Sequence, residues 1–219
     1  MNIIIVGSGA VAAELTSYIE DNNKHADADQ QQHISGYLDQ EENIPKYWAK
    51  YKLKMPVLSD AEHYQIQEGD HFIIAISDLV FRKKMIDIIE KKNGKVTGFV
   101  HYTSIIADSA VIGEGNIIYP FCIVGPNAVV GKNNLVTGYS FISHDCSVGN
   151  NNFFSTAGLS GNVRVGDNNF FGIRSTVLPN IQIGSSNIIQ AGMTVDKNIE
   201  NDSTIFYRFK EKIIAVPKA

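Results

Sequence analysis

Residues 106–153 read IADSAV IGEGNI IYPFCI VGPNAV VGKNNL VTGYSF ISHDCS VGNNNF. After a five-residue unit, FSTAG (154–158), the pattern resumes at Leu159 as LSGNVR VGDNNF FGIRST VLPNIQ IGSSNI IQAGMT. Every unit begins with an aliphatic residue or Phe, the second place is usually small and most often Gly, and the fifth is often small or Asn. A period of six matches no face of an α-helix, whose apolar residues recur at 3.6. It matches a β-solenoid in which each hexad is one short strand plus a turn, three hexads close a triangular coil, and first-position side chains fill the interior. Small second residues are expected where the chain turns, and Asn suits corners that need left-handed backbone. A β-sandwich would not hold the phase unbroken from 106 to 158 and again from 159. The short unit at Ala157–Gly158–Leu159 reads either as a bent corner or as a place that admits a ligand's backbone.

Charge separates this region from the rest. Residues 106–199 hold 9 charged side chains in 94 positions, and the other 125 residues hold 33. Inward-facing charge is costly, so stacked walls avoid it. The contrast divides the chain near residue 100 into an N-terminal domain (1–100) and a solenoid domain with a C-terminal tail (101–219). A net charge of −4 argues against a nucleic-acid-binding surface. No apolar run reaches the length of a membrane span. MNIIIVGSGA lacks a basic leader and reads as a strand. Two cysteines, Cys122 and Cys146, make no disulfide framework and suit a reducing compartment, so a cytoplasmic location is expected.

The N-terminal domain reads as a small, Rossmann-like parallel α/β sheet. NIIIV (2–6) is a buried strand, Gly7-Ser8-Gly9 a tight turn, and AVAAELTSYIEDN a helix. HISGYLD ends a second strand at Asp39, residues 40–60 are loop-like until MPVLSD, and HFIIAIS is a third strand ending at Ser77, followed by a helix through DLVFRKKMIDIIEKKNG. A Gly turn between strand and helix is either a phosphate or nucleotide cradle, through free N–H groups at the helix start, or a plain tight connection. At about 100 residues the domain is smaller than a full dinucleotide domain, which weighs against a dehydrogenase.

Of six histidines only His144 lies in the repeats, third in ISHDCS and beside Asp145. A neutral imidazole takes a proton from an amine or hydroxyl, and a neighbouring carboxylate fixes its tautomer. The other reading is a surface pair without a role. No further His or Cys stands at metal-ligand spacing, so no metal is expected, and the chain has no G-x-S-x-G elbow for a serine hydrolase.

The short Gly-turn domain, the hexad solenoid, and the strings SHDCSVG and GLSGNVRVGDNNFFGIRSTVLPN together resemble a bacterial sugar acyltransferase family over nearly the whole chain. Its members include the sialic-acid O-acetyltransferase type and N-acetyltransferases acting on nucleotide-linked 4-amino sugars. The resemblance implies a homotrimer of left-handed parallel β-helices, with acetyl-CoA between neighbouring solenoids and a nucleotide-sugar on the N-terminal domain. It makes His144 the general base and Asp145 its acidic partner. It puts Gly161, Ile173 and Ala191 in the CoA groove, Ser8, Gly9 and Ala10 at the phosphate turn, Asp39 at the base of the nucleotide, and Ser77 near the sugar. The chain departs from the family in three places. GSGAVA lacks the family's histidine, Phe153 stands where a second histidine contacts the acetyl donor, and the chain ends in IIAVPKA after FYRFKEK. The leading expectation is direct acetyl transfer to a nucleotide-linked amino sugar. The alternatives are sugar O-acetylation, another acyl group or an amino-acid acceptor, and a non-catalytic solenoid that binds a nucleotide-sugar.

Overall fold

A computed structural model describes residues 2–207 of the chain. The C-terminal stretch IIAVPKA lies outside the described residues. The N-terminal part is one five-stranded, wholly parallel sheet in the order β3-β2-β1-β4-β5. Its strands are β1 (Asn2–Val6), β2 (His33–Leu38), β3 (Val57–Ser59), β4 (His71–Ile74) and β5 (Lys95–Val96). Ile3, Ile4, Ile5 and Val6 are all buried, as the central strand of a sheet covered on both faces requires. The helix α1 (Ala10–Asn23) turns Ala12, Leu15 and Ile19 to the core, and α2 (Leu79–Lys91) turns Met85, Ile86 and Ile89. Asp78 caps α2 by accepting the Phe81 N–H at 2.7 Å. The strand expected to run to Ser77 ends at Ile74, because Asp78 already belongs to the helix start. Ser77 is therefore exposed in the connecting loop. The loop-like stretch carries two single turns of helix, Glu41–Asn43 and Ile44–Trp48, before β3.

The solenoid is three parallel walls of two-residue strands. Wall A has seven strands, wall B six and wall C five. Partners lie one coil apart, 18 residues as in Ile123↔Phe141 and 17 across FSTAG as in Phe141↔Gly158. First-position side chains from Ile118 to Val195 are buried throughout, so the hexad register is the register of the core. The ladder runs beyond 106–199, since Phe99–Val100 pairs with Ile117–Ile118 and Thr204–Ile205 with Ile188–Ile189.

The corners differ from the sequence expectation in one respect. Left-handed backbone falls on the fourth place, from Asn127 (φ 58°) to Asn180 (φ 65°), and not on the small second place. The second-place glycines are small because coils approach there: a Cβ on Gly131 would lie 2.6 Å from the Gly149 carbonyl oxygen. The fifth place carries a buried ladder. Asn116, Asn134, Asn152, Asn169 and Asn187 stack coil on coil, each Oδ1 accepting the backbone N–H of the residue above, for example Asn134 to Asn116 and Asn152 to Asn134. Such pairing offsets the cost of burying an amide, and in this ladder Asn187 Nδ2 alone lacks an acceptor among the described residues.

Wall A packs against the N-terminal domain through one buried cation. Arg82 of α2 is 2% exposed and forms no ion pair among the described residues. Its Nε donates to Asn151 Oδ1 at 2.8 Å and its Nη2 to the Asn152 carbonyl at 2.9 Å, while Asn151 Nδ2 returns a bond to the Leu79 carbonyl at 3.1 Å. Burial pushes the guanidinium down to about 10.

Candidate functional site

The corner between walls B and C carries Asn127, Asp145, Asn162 and Asn180 in the left-handed place of successive coils. His144 precedes Asp145, and its Nδ1 lies 2.7 Å from Asp145 Oδ2. An ionised carboxylate only accepts, so Nδ1 carries a proton, and in the neutral imidazole the lone pair is on Nε2. Asp145 is held below the usual carboxylate range by His144 first and by Asn127 second, whose Nδ2 donates to Oδ1 at 3.2 Å. The imidazole is 64% exposed and lies over Gly161 of the next coil. A Cβ on Gly161 would stand 2.6 Å from both Cε1 and Nε2, so only glycine leaves the ring its place. The Gly161 N–H has no hydrogen-bond acceptor among the described residues. Cys146 is buried behind this corner and burial raises its thiol, which makes it a packed residue and not a nucleophile.

Ile173 and Ala191 sit on a different edge, the corner between walls A and B. They line a groove of about 480 Å³ together with Ser155, Phe170, Ile188 and Tyr207. Phe153 underlies it, its ring packed edge-on against Phe170 at 5.2 Å between centroids. His144, Asp145 and Gly161 are thus one cluster, and Ile173 and Ala191 another, a whole wall away. A single chain does not bring the two together.

In the N-terminal domain the strand order reverses at β1, and ligands of open parallel sheets sit in the crevice beyond the strand ends at such a point. A hollow of about 160 Å³ lies there, lined by Gly7, Asp39, Asp60, His63, Phe81 and Lys84 among others. Gly7 adopts φ +101°, and a Cβ on it would meet the Ala75 carbonyl oxygen at 3.1 Å. Ser8 is fully buried and is spent on Asp39: its N–H and Oγ both donate to Oδ2, at 2.8 and 2.5 Å. Oδ1 takes the Gln40 N–H and Asn43 Nδ2, each at 2.8 Å. Four donors fill that carboxylate, so Asp39 organises the turn at the mouth of the hollow. Gly9 is the N-cap of α1 and Ala10 its first residue, with no side chain capping the free N–H groups. Sequence reasoning missed Asp60, His63, Phe81 and Lys84. The only signal for Asp60 was its place at the end of the strand in MPVLSD.

Among the described residues no group of His, Cys, Asp or Glu is arranged to hold a metal. No helix there is long and apolar enough to cross a membrane. No family model and no curated protein matches the chain. Solved structures do match. A histidine-to-asparagine mutant of perosamine N-acetyltransferase from Caulobacter crescentus, determined with CoA and GDP-perosamine, superposes with a TM-score of 0.81 at 19% identity, over 93% of this chain and 92% of that one. The chain has the fold of that acetyltransferase. WeeI from Acinetobacter baumannii follows with a TM-score of 0.76 at 22% identity over 93% and 96% of the two chains. The acetyltransferase domain of PglB from Neisseria gonorrhoeae gives 0.75 at 19% over 90% and 92%.

Proposed function

We propose that the protein transfers an acetyl group from acetyl-CoA to the amine of a nucleotide-linked amino sugar. The observation that carries this reading is the His144–Asp145 pair, with Nε2 free on an exposed corner of a solenoid shared with a sugar N-acetyltransferase. His144 Nε2 takes the proton as the amine attacks the thioester carbonyl, and returns it to the departing thiolate. Asp145 stabilises the imidazolium that forms between the two steps. The unengaged Gly161 N–H is the donor for the developing oxyanion. General-base help of this kind is worth ~10²–10⁴-fold, and positioning supplies much of the remainder.

The groove at Ile173 and Ala191, with Phe153 beneath it, holds the pantetheine arm. The sugar nucleotide occupies the hollow beyond β1 and β4 of a Rossmann-like domain, with its diphosphate at the Gly9 and Ala10 N–H groups of the turn that Ser8 and Asp39 hold from the nucleotide side, and Ser77 on the rim towards the sugar. Because His144 and the groove lie on different corners, the working site is shared between copies in a homotrimer of left-handed solenoids. Outward-facing Ile105, Ile123 and Phe141 on wall B and Val111 and Val129 on wall C are 36–65% exposed, and neighbouring copies cover such rows.

The test is thiol release from acetyl-CoA, followed with DTNB, across UDP-, dTDP- and GDP-linked 4-amino-4,6-dideoxyhexoses and their 4-hydroxy counterparts. Release with an amino sugar supports the reading. Release only with hydroxyl sugars moves it to O-acetylation, and nucleotide-sugar binding without release makes the chain a binding module.

A further inference from the structure

Left-handed backbone falls on the fourth place in most coils, and two of the three corners fill it with Asn, Asp, Gly or Ser. The corner between B and C uses Asn127, Asp145, Asn162 and Asn180, and that between C and A uses Gly115, Asn133, Asn151, Asn168 and Ser186. The corner between A and B does so only in its last coil, at Gly192 (φ 72°). Below that it stacks Phe121 (φ 60°), Tyr139 (φ 62°), Thr156 (φ 47°) and Arg174 (φ 57°). Bulky side chains are strained there, so this edge is built for what its side chains do. Phe121 and Tyr139 are 52% and 70% exposed and stack face to face at 5.3 Å.

The short unit FSTAG falls on this same edge. Its missing residue breaks the corner's hydrogen bonding. In regular coils the fourth-place N–H donates to the third-place carbonyl of the coil below, as Tyr139 does to Pro120 and Gly192 to Ile173. Thr156 instead donates to the Thr137 hydroxyl at 2.9 Å. The Gly138 carbonyl is left with no donor among the described residues, and the Arg174 side chain has no hydrogen bond or ion pair there either. Coils rise by about 4.8 Å. Tyr139 and Arg174 are two coils apart, so their backbones lie about 10 Å from each other with the small Thr156 between them. Ser155 joins this stretch of the edge to the groove that also holds Ile173 and Ala191.

We propose that this notch is the seat of the acceptor's sugar ring. The pyranose lays its C–H face on Tyr139, whose π-face is electron-rich, and donates a hydrogen bond from a ring hydroxyl to the Gly138 carbonyl. Phe121 supports Tyr139 from below. The inference rests on the proposed acetyl transfer, because the notch continues the groove assigned there to the pantetheine arm. Tyr139 and His144 stand in the same coil, so in the proposed trimer the reacting ring lies at the height of a neighbour's His144.

Glycine at 139 removes the ring and relieves the left-handed strain. Tyr139→Gly is therefore expected to keep or raise the melting temperature, keep the trimer and the KM for acetyl-CoA, and raise the KM for the amino sugar about ten-fold. Tyr139→Phe is expected to retain the wild-type KM. Saturation-transfer NMR from the protein's aromatic protons to the pyranose protons of the same nucleotide-sugars reads the contact without turnover. Transfer in wild type and Tyr139→Phe, lost in Tyr139→Gly, supports the notch even if thiol release fails, in which case only the acetyl-transfer reading falls. An unchanged sugar KM and unchanged transfer in Tyr139→Gly would overturn the proposal. So would dissociation of the trimer, which would make the aromatic pair a subunit contact, or absence of transfer from wild type to every sugar.

Discussion

At the scale of single residues, the reading turns on one imidazole and what fixes it. His144→Ala is expected to lower kcat by ~10²–10⁴-fold while CoA binding and the assembly stay intact, as steady-state kinetics and sedimentation will show. Gly161→Ala tests the seat of that ring. A methyl 2.6 Å from Nε2 forces the imidazole to swing away, and a displacement of about 1 Å costs up to ~10²-fold. The expected signature is a fall in kcat with an unchanged melting temperature. Asp145 is held well below the usual carboxylate range by His144 and Asn127, so it stays ionised as pH falls from 7 to 5, and an acid limb in kcat belongs to another group. The His–Asp pair was legible because it breaks a wall that avoids charge. The engagement of Ser8 by Asp39 was not, because 31 residues separate partners that only the parallel pairing of β1 and β2 brings together.

At the scale of elements, the hexads announced the solenoid because one side chain in six had to be apolar to fill it, and the burial of first positions from Ile118 to Val195 follows that rule. The cause of the second-place glycines was not legible, since a single coil does not reveal how closely the next one approaches. Arg82 was hidden for a related reason. In LVFRKKMIDIIEK it looks like one more surface cation, and only the docking of α2 on wall A buries it. Arg82→Met strips the donor from the Asn151 amide oxygen and leaves the Asn152 carbonyl with the Leu135 N–H alone. It is expected to cost ~1–3 kcal/mol in urea unfolding and to speed amide exchange in the first turn of α2. Asn152→Ala, in the middle of the amide ladder, leaves the Asn169 N–H without its acceptor and is expected to cost a similar ~1–3 kcal/mol.

For the whole molecule, two domains meet on wall A, and one of their contacts is pH-sensitive. His101 is 3% exposed, and its Nε2 stands 3.5 Å from Asp21 Oδ2, an approach that is not a formed hydrogen bond. Burial lowers its pKa, and Asp21 only partly opposes this. The unfolded chain thus binds the proton more readily, and stability is full above the ordinary value of about 6.5 and is lost as pH falls from there through the lowered folded value. The melting temperature should drop between pH 7 and 5, and His101→Phe should flatten that drop. At the same scale, a site divided between corners predicts complementation. His144→Ala mixed with a groove variant such as Ala191→Trp, after co-refolding, should recover activity that neither has alone. The measurement that bears most directly on the central claim is acetyl-CoA thiol release with a nucleotide-linked 4-amino sugar, run side by side on wild type and His144→Ala. The account predicts stoichiometric N-acetyl product from the wild type and a rate at least about a hundred-fold lower from the variant. Equal rates from the two proteins would contradict it.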